Sequence, residues 1–270
     1  METPFAGIDG AAVIRGPSFS LWRAPLRPAF RGLVRRITLY RSDGPLPGLM
    51  VEPAALVVPL IFVLDGAFEI GMGRDPRGAD RIASFMAGLS LTPARIASPE
   101  AVQVLQIDLT PLGAMRVLGH GLGAAAEGVH ALPDYGDREI IELHARMGEV
   151  SKWDTRLALA EAFLAQRLAT PLPLALTRAW QLIEGTQGRA PIARIADHLG
   201  MTRRHLARQF RPFGLSPKKA ARVARFTAAS ARAGSASWAQ IAADAGYADQ
   251  AHLTREFRAL SGMTPQAFPA

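Results

Sequence analysis

The sequence predicts an α+β protein, a β-rich N-terminal part with trailing helices followed by an all-α C-terminal part, and three observations predict it. Apolar runs bounded by Pro and Gly fill residues 45–111, and an Ala/Leu/Glu-rich helical composition takes over from Pro111. Then nearly the same phrase is written twice, HLARQFRPFGLSP from His205 and HLTREFRALSGMTP from His252. With 270 residues and 49% hydrophobic content the chain suffices for packed cores and suggests roughly two domains.

Taken in order, PLIFVLDGAFEIG has two apolar runs about an Asp65-Gly66 turn signal, and AVQVLQIDL alternates less cleanly, so both read as strands. A loop is expected around Ala131 to Asp137. In WDTRLALAEAFLAQRL, residues Leu157, Ala160, Phe163, Leu164 and Leu168 recur at helical spacing, and TPLP (Thr170–Pro173) stops that helix. The organisation expected is a domain over 1–169, a linker over 170–176 and a second domain over 177–270. In the last segment Leu176, Ala179, Trp180 and Ile183 share one helix face. Pro191 opens PIARIADHLG, Thr202 caps RRHLARQFR, and Ser216-Pro217 opens a long helix running to Gly234. SWAQIAADAG follows, then Asp249 as the cap of QAHLTREFRALSG, and a last start at Thr264-Pro265, making seven helices.

Charge and composition narrow the function classes. The formal net charge is +8, yet residues 177–270 hold 14 Lys+Arg against 5 Asp+Glu while residues 1–176 hold 17 against 18. The surplus therefore sits in the last third, the footprint of a phosphate-binding module. The chain has no cysteine, which excludes disulfides, thiolate metal sites and a cysteine nucleophile. The start METPFAGIDGAAVIRG is not a secretory leader, and ALVVPLIFVL falls short of the ~20 residues of a membrane span. A soluble, cytoplasmic protein without a membrane partner is expected.

The repeated phrase is part of a longer repeat. Ile195, Ala196 and Gly200 match Ile241, Ala242 and Gly246. His205, Leu206, Arg208, Phe210 and Arg211 match His252, Leu253, Arg255, Phe257 and Arg258, while Gly214, Ser216 and Pro217 match Gly262, Thr264 and Pro265. Each copy has what a helix-turn-helix needs: a small residue where two helices approach, a glycine at the turn, and an i,i+4 apolar pair holding the second helix down. Opposite that pair fall Arg204, Arg208 and Arg211 in the first copy and Ala251, Arg255 and Arg258 in the second, where a recognition helix faces a major groove. The connecting helix, about 18 residues or ~27 Å, suits recognition helices on adjacent turns of DNA. On it Lys218, Lys219, Arg222 and Arg225 face either the intervening backbone or solvent.

These residues resemble the AraC/XylS-type transcription regulators over about Leu174 to Phe268. The resemblance rests on G-x-[ST]-P after each repeat (GLSPKK, GMTPQAF), IAxxxGY before the second recognition helix, and DQAHLTREFR within it. It implies a seven-helix domain with two helix-turn-helix motifs that binds double-stranded DNA, with Arg203, Arg204, Arg208 and Gln209 and then Gln250, Ala251 and Arg255 reading bases. The full candidate set adds Thr202, His205, Arg211 and Lys218 from the first copy and its connector, and Asp249, His252, Thr254 and Arg258 from the second. Leu253 departs from the family's usual Phe, and FPA ends the chain where members often continue, so the last helix is expected to be short. AVQVLQIDLTPLGAMRVLG is similar to the arabinose-binding-like or cupin-like accessory domain of one branch, which implies a small-molecule effector or a homodimer, and RNA polymerase as a further partner. Cupin metal chemistry needs His-x-His, and His120, His130 and His144 are too widely spaced, so neither metal nor cofactor is expected.

The function this implies is a sequence-specific, effector-controlled transcription regulator and not an enzyme. Two alternatives stand beside it: a nonspecific architectural DNA binder, and an N-terminal enzyme with a DNA-binding appendage. Alkyl-accepting repair proteins sharing this fold need a cysteine, and no G-x-S-x-G, P-loop or H-E-x-x-H occurs.

Overall fold

The computed structural model describes residues 13–16, 18–123, 125 and 128–269. Its N-terminal part is built from β1 (Val13–Arg15), β2 (Phe19–Arg23), β3 (Val34–Ser42), β4 (Met50–Glu52), β5 (Val58–Asp65), β6 (Phe68–Met72), β7 (Arg81–Ile82), β8 (Phe85–Ala87), β9 (Ala94–Ala97), β10 (Gln103–Leu109) and β11 (Val129–Ala131). A seven-stranded antiparallel sheet, ordered β1-β2-β3-β10-β5-β8-β11, faces a four-stranded one, β4-β9-β6-β7. The helices α1 (Pro111–Leu118), α2 (Leu132–Tyr135), α3 (Arg138–Glu149) and α4 (Trp153–Arg167) follow.

The middle of the seven-stranded sheet is covered on both faces, which explains why β5 reads as a near-continuous apolar run. Ile37, Leu39, Leu60, Phe62, Leu105 and Ile107 point into one core with the helices, whereas Ile61, Val63, Phe85 and Val104 join Phe68 and Ile70 of the opposite sheet. The poor alternation of AVQVLQIDL has this cause: Val104, Gln106 and Asp108 line the space between the sheets while Leu105 and Ile107 meet the helices. Asp65-Gly66 does turn the chain, with Gly66 at φ +78. The runs it joins lie in different sheets, so the turn carries the chain across the sandwich instead of closing a hairpin. The expected loop at 131–137 instead holds the end of β11 and α2.

The C-terminal part contains α5 (Leu174–Gly185), α6 (Ile192–His198), α7 (Arg203–Phe210), α8 (Pro217–Ser230), α9 (Trp238–Asp244) and α10 (Gln250–Ser261). The seventh expected helix is a single 3-10 turn, Pro265–Ala267. α5 starts at Leu174, inside the expected linker, because Pro173 ends the extended TPLP segment and cannot impede a helix that begins after it. The connector α8 is 14 residues, or ~21 Å, shorter than expected. Beyond Ser230 the backbone tightens to i→i−3 bonds, Arg232 N–H to Ala229 O and Ala233 N–H to Ser230 O, and leaves the α-helix before Gly234.

One apolar core runs from the sheet through α1 and α4 into the C-terminal helices, from Trp22 to Leu260. Polar ties bridge the same boundary: Arg35 pairs with Glu184 at 2.8 Å, and the Ala54 amide donates to Leu260 O at 2.7 Å. Among the described residues no helix is long and apolar enough to cross a membrane.

Candidate nucleic-acid interface and cavity

The two sequence repeats fold into the same backbone. At the turn after the first helix of each, Met201 N–H donates to Ala196 O and Tyr247 N–H to Ala242 O, both at 2.9 Å, a six-residue closure that needs a left-handed residue just before it. Gly200 (φ +64) and Gly246 (φ +75) supply it. Ala196 and Ala242 are fully buried, as close helix approach requires. Caps repeat too: Thr202 Oγ1 accepts from His205 N–H at 3.1 Å and Asp249 Oδ1 from His252 N–H at 2.6 Å. After each second helix, Ser216 and Thr264 cap again through Lys219 N–H and Ala267 N–H.

Each second helix is pinned by the expected pair, Leu206 with Phe210 and Leu253 with Phe257, all buried. Around Phe210 stand Trp180 and Phe213, with ring centroids 4.8 and 5.8 Å away. Phe257 sits among Phe226, Trp238 and Phe268 at 4.9 to 5.5 Å. Tyr247 lies under the second turn, its phenol pushed up to about 12 by burial and, less, by the charge of Glu256. It therefore stays neutral, and its ring packs edge-on against His252 at 5.2 Å.

With the cores facing inward, Thr202, Arg203, Arg204, Arg208 and Arg211 are exposed on one copy, and Asp249, Gln250, Ala251, Arg255 and Arg258 on the other, with Lys218 exposed at the start of α8. Four further candidates are half-buried: His205 and Gln209 hydrogen-bond each other at 3.0 Å, Thr254 Oγ1 donates to Gln250 O at 2.9 Å, and His252 leans on Tyr247. Arg222 and Arg225 of the connector are engaged inside the fold. Arg222 Nε holds Glu256 at 2.6 Å, tying α8 to α10, and Arg225 donates to Gly188 O while lying 5.6 Å from the Tyr247 ring. Sequence spacing left these two arginines facing either DNA backbone or solvent but could not show Glu256 on α10 or the Gly188 carbonyl beside them.

Arginine is used in two different ways. In the N-terminal part Arg27, Arg36, Arg74, Arg81, Arg95 and Arg167 each hold a carboxylate. In α7, α10 and the turn after α7, Arg203, Arg204, Arg208, Arg211, Arg255 and Arg258 have no ion-pair partner among the described residues. Exposed Arg23, Arg31, Arg138, Arg146, Arg178 and Arg194 likewise have no ion-pair partner among the described residues, so what sets the six apart is their clustering on two helices and one adjoining turn.

Between the two sheets lies a cavity of about 430 Å³, which sequence reading did not find. Its floor is a side-chain ladder set by register: Arg36 opposite Asp108, Thr38 opposite Gln106, Tyr40 opposite Val104. Met50 and Glu52 of β4 and Ile70 of β6 roof it. Its wall includes residues 53–55 and 57, and the Ala54 amide there is the one bonded to α10. His144 bonds to Ser84 Oγ and Val63 O. His130 Nε2 is buried without a hydrogen-bond partner among the described residues, and the His120 side chain lies outside them.

Residues 195–270 match the family described as "Helix-turn-helix domain". No curated protein sequence matches the chain. Among solved structures, ToxT from Vibrio cholerae is 14% identical, covering 85% of this chain and 95% of that one with a TM-score of 0.47. ToxT of Vibrio cholerae bound to an unsaturated fatty acid is 10% identical over 83% and 94% of the two chains, TM-score 0.42. A nickel-bound bacterial pirin, YhhW from Escherichia coli, is 16% identical over 38% and 50%, TM-score 0.28. The doubled cap, turn and core geometry and the family match over 195–270 agree: this segment is a helix-turn-helix domain that carries two copies of the motif.

Proposed function

We propose that the protein controls transcription by laying α7 and α10 into successive major grooves on one face of its operator, under control of a small molecule held between the N-terminal sheets. The observation that carries the DNA half is the clustering on α7, α10 and the turn after α7 of six exposed arginines that have no ion-pair partner among the described residues. Arg203, Arg204 and Arg208 face bases from α7, and Gln250, Ala251 and Arg255 from α10. Arg211, Lys218 and Arg258 meet phosphates. Thr202 and Asp249 serve first as caps that hold the helix starts in place.

The regulatory half rests on the cavity wall at 53–57, which is bonded to the C-terminal end of α10 through Ala54 and Leu260. A ligand that repositions this wall biases the second recognition helix. Residues 1–169 act as the sensing or self-association domain and the helices from α5 onward as the DNA-binding domain, the short segment before Leu174 linking them, in the cytoplasm where DNA and RNA polymerase are found. Affinity of the full chain for the DNA upstream of its own reading frame, and for scrambled DNA at one salt concentration, tests the reading. The specific site should bind about 10³-fold tighter or more. Equal affinities make the protein an architectural binder, and no binding at low salt removes DNA altogether.

A further inference from the structure

We propose that the inter-sheet cavity takes a cation with a largely apolar body, an aryl- or alkylamine or amidine whose charged head seats at Glu52. This rests on the reading that the N-terminal domain senses a small molecule, and it adds the ligand's chemical class. Three charged side chains line the cavity: Arg36, Glu52 and Asp108. Arg36 is already committed, its Nε and Nη2 both on Asp108 Oδ2 at 2.9 and 2.6 Å, while Gln106 Nε2 occupies Asp108 Oδ1 at 2.6 Å. That leaves Glu52, exposed at the solvent-open edge of the lining and without a hydrogen-bond or ion-pair partner among the described residues. The lining therefore carries a surplus of one negative charge and no uncommitted cation. An anionic ligand would meet repulsion, whereas a cation completes the set.

Independent observations point the same way. Thr38 is 5% exposed, lines the cavity, and its hydroxyl has no partner among the described residues, so the polar end of the ladder holds an unused hydroxyl that can accept from an ammonium N–H as readily as it can donate. The remaining wall is aliphatic and aromatic, with Ile61, Phe68, Ile70 and Phe85 suited to a hydrocarbon or aryl body. Partial desolvation by the cavity wall raises the Glu52 carboxyl above its usual range, Arg36 opposing and Asp108 reinforcing the shift, while the side chain stays open to solvent on its outer side. The head would sit at the end of the cavity nearest Pro53 and Ala54, and so nearest the wall bonded to α10.

The test is a thermal melt of the full chain with naphthylmethylamine, naphthylmethanol and naphthoate, which share one apolar body and differ in charge. The amine should raise the melting temperature most and naphthoate least. Glu52→Gln should weaken the amine by about tenfold or more while leaving the alcohol unchanged. Met50→Lys, which sets a cation on the same strand face two residues from Glu52, should remove amine binding without touching the carboxylate itself. Alcohol or naphthoate binding as tightly as the amine overturns the cationic class and leaves small-molecule sensing standing, as does amine binding that ignores both substitutions. Silence from all three probes overturns the cavity as a sensing site together with the class.

Discussion

Arg204 and Ala251 occupy equivalent places in the two repeats, both exposed and both on the outward face. A bidentate guanidinium there reads a guanine edge, and a methyl group contacts a thymine methyl, so the two half-sites should differ at these positions. Arg204→Ala is expected to relax preference at one or two base positions by about 1–3 kcal/mol. Lys218→Ala should lower affinity for every sequence alike and flatten the salt dependence by about one unit of slope. Anisotropy titrations against a panel of single-base operator variants separate the two; a uniform loss for Arg204→Ala would contradict base readout. Outward direction at this scale was legible because helical spacing alone decides it. Whether a side chain is free was not, since it depends on what neighbouring helices bring: Arg222 meets Glu256, and Gln209 turns back onto His205.

At the scale of elements, the caps and the aromatic clusters hold the recognition helices in place. Asp249→Ala removes the α10 N-cap and should cost about 1 kcal/mol, visible as a lower melting temperature. Phe257→Ala empties the centre of the second aromatic cluster and should cost about 3–5 kcal/mol, enough to unfold that repeat or the chain in a melt. The two copies were readable because every device in them is local: cap, glycine turn and i,i+4 pair lie within a few residues. Less local features escaped. α8 ends before the glycine that suggested its stop, and the two apolar runs about Gly66 belong to different sheets, because β5 pairs with β8 and β10 and β6 with β7 and β9, all of which come later in the chain. The cavity was invisible for the same reason, as its floor is set by cross-strand register and its roof by β4, β6 and β9.

For the whole molecule, charge separates what the core joins. One apolar core and the Ala54–Leu260 and Arg35–Glu184 bonds link sheet to helices, so a cavity ligand and the α10 end share a wall, while the positive surplus stays in the last third. The central claim is that both recognition helices act at once on one face of DNA. It is tested most directly by inserting a half-turn, about 5 base pairs, between the two half-sites of the operator and measuring the affinity of the full chain. Since α8 and its packing fix the distance between α7 and α10, the insertion carries one half-site to the far side of the duplex. Affinity should fall by about 10²-fold or more, and a full-turn insertion should not restore it, because the connector cannot stretch. Unchanged affinity across the half-turn insertion would contradict the account.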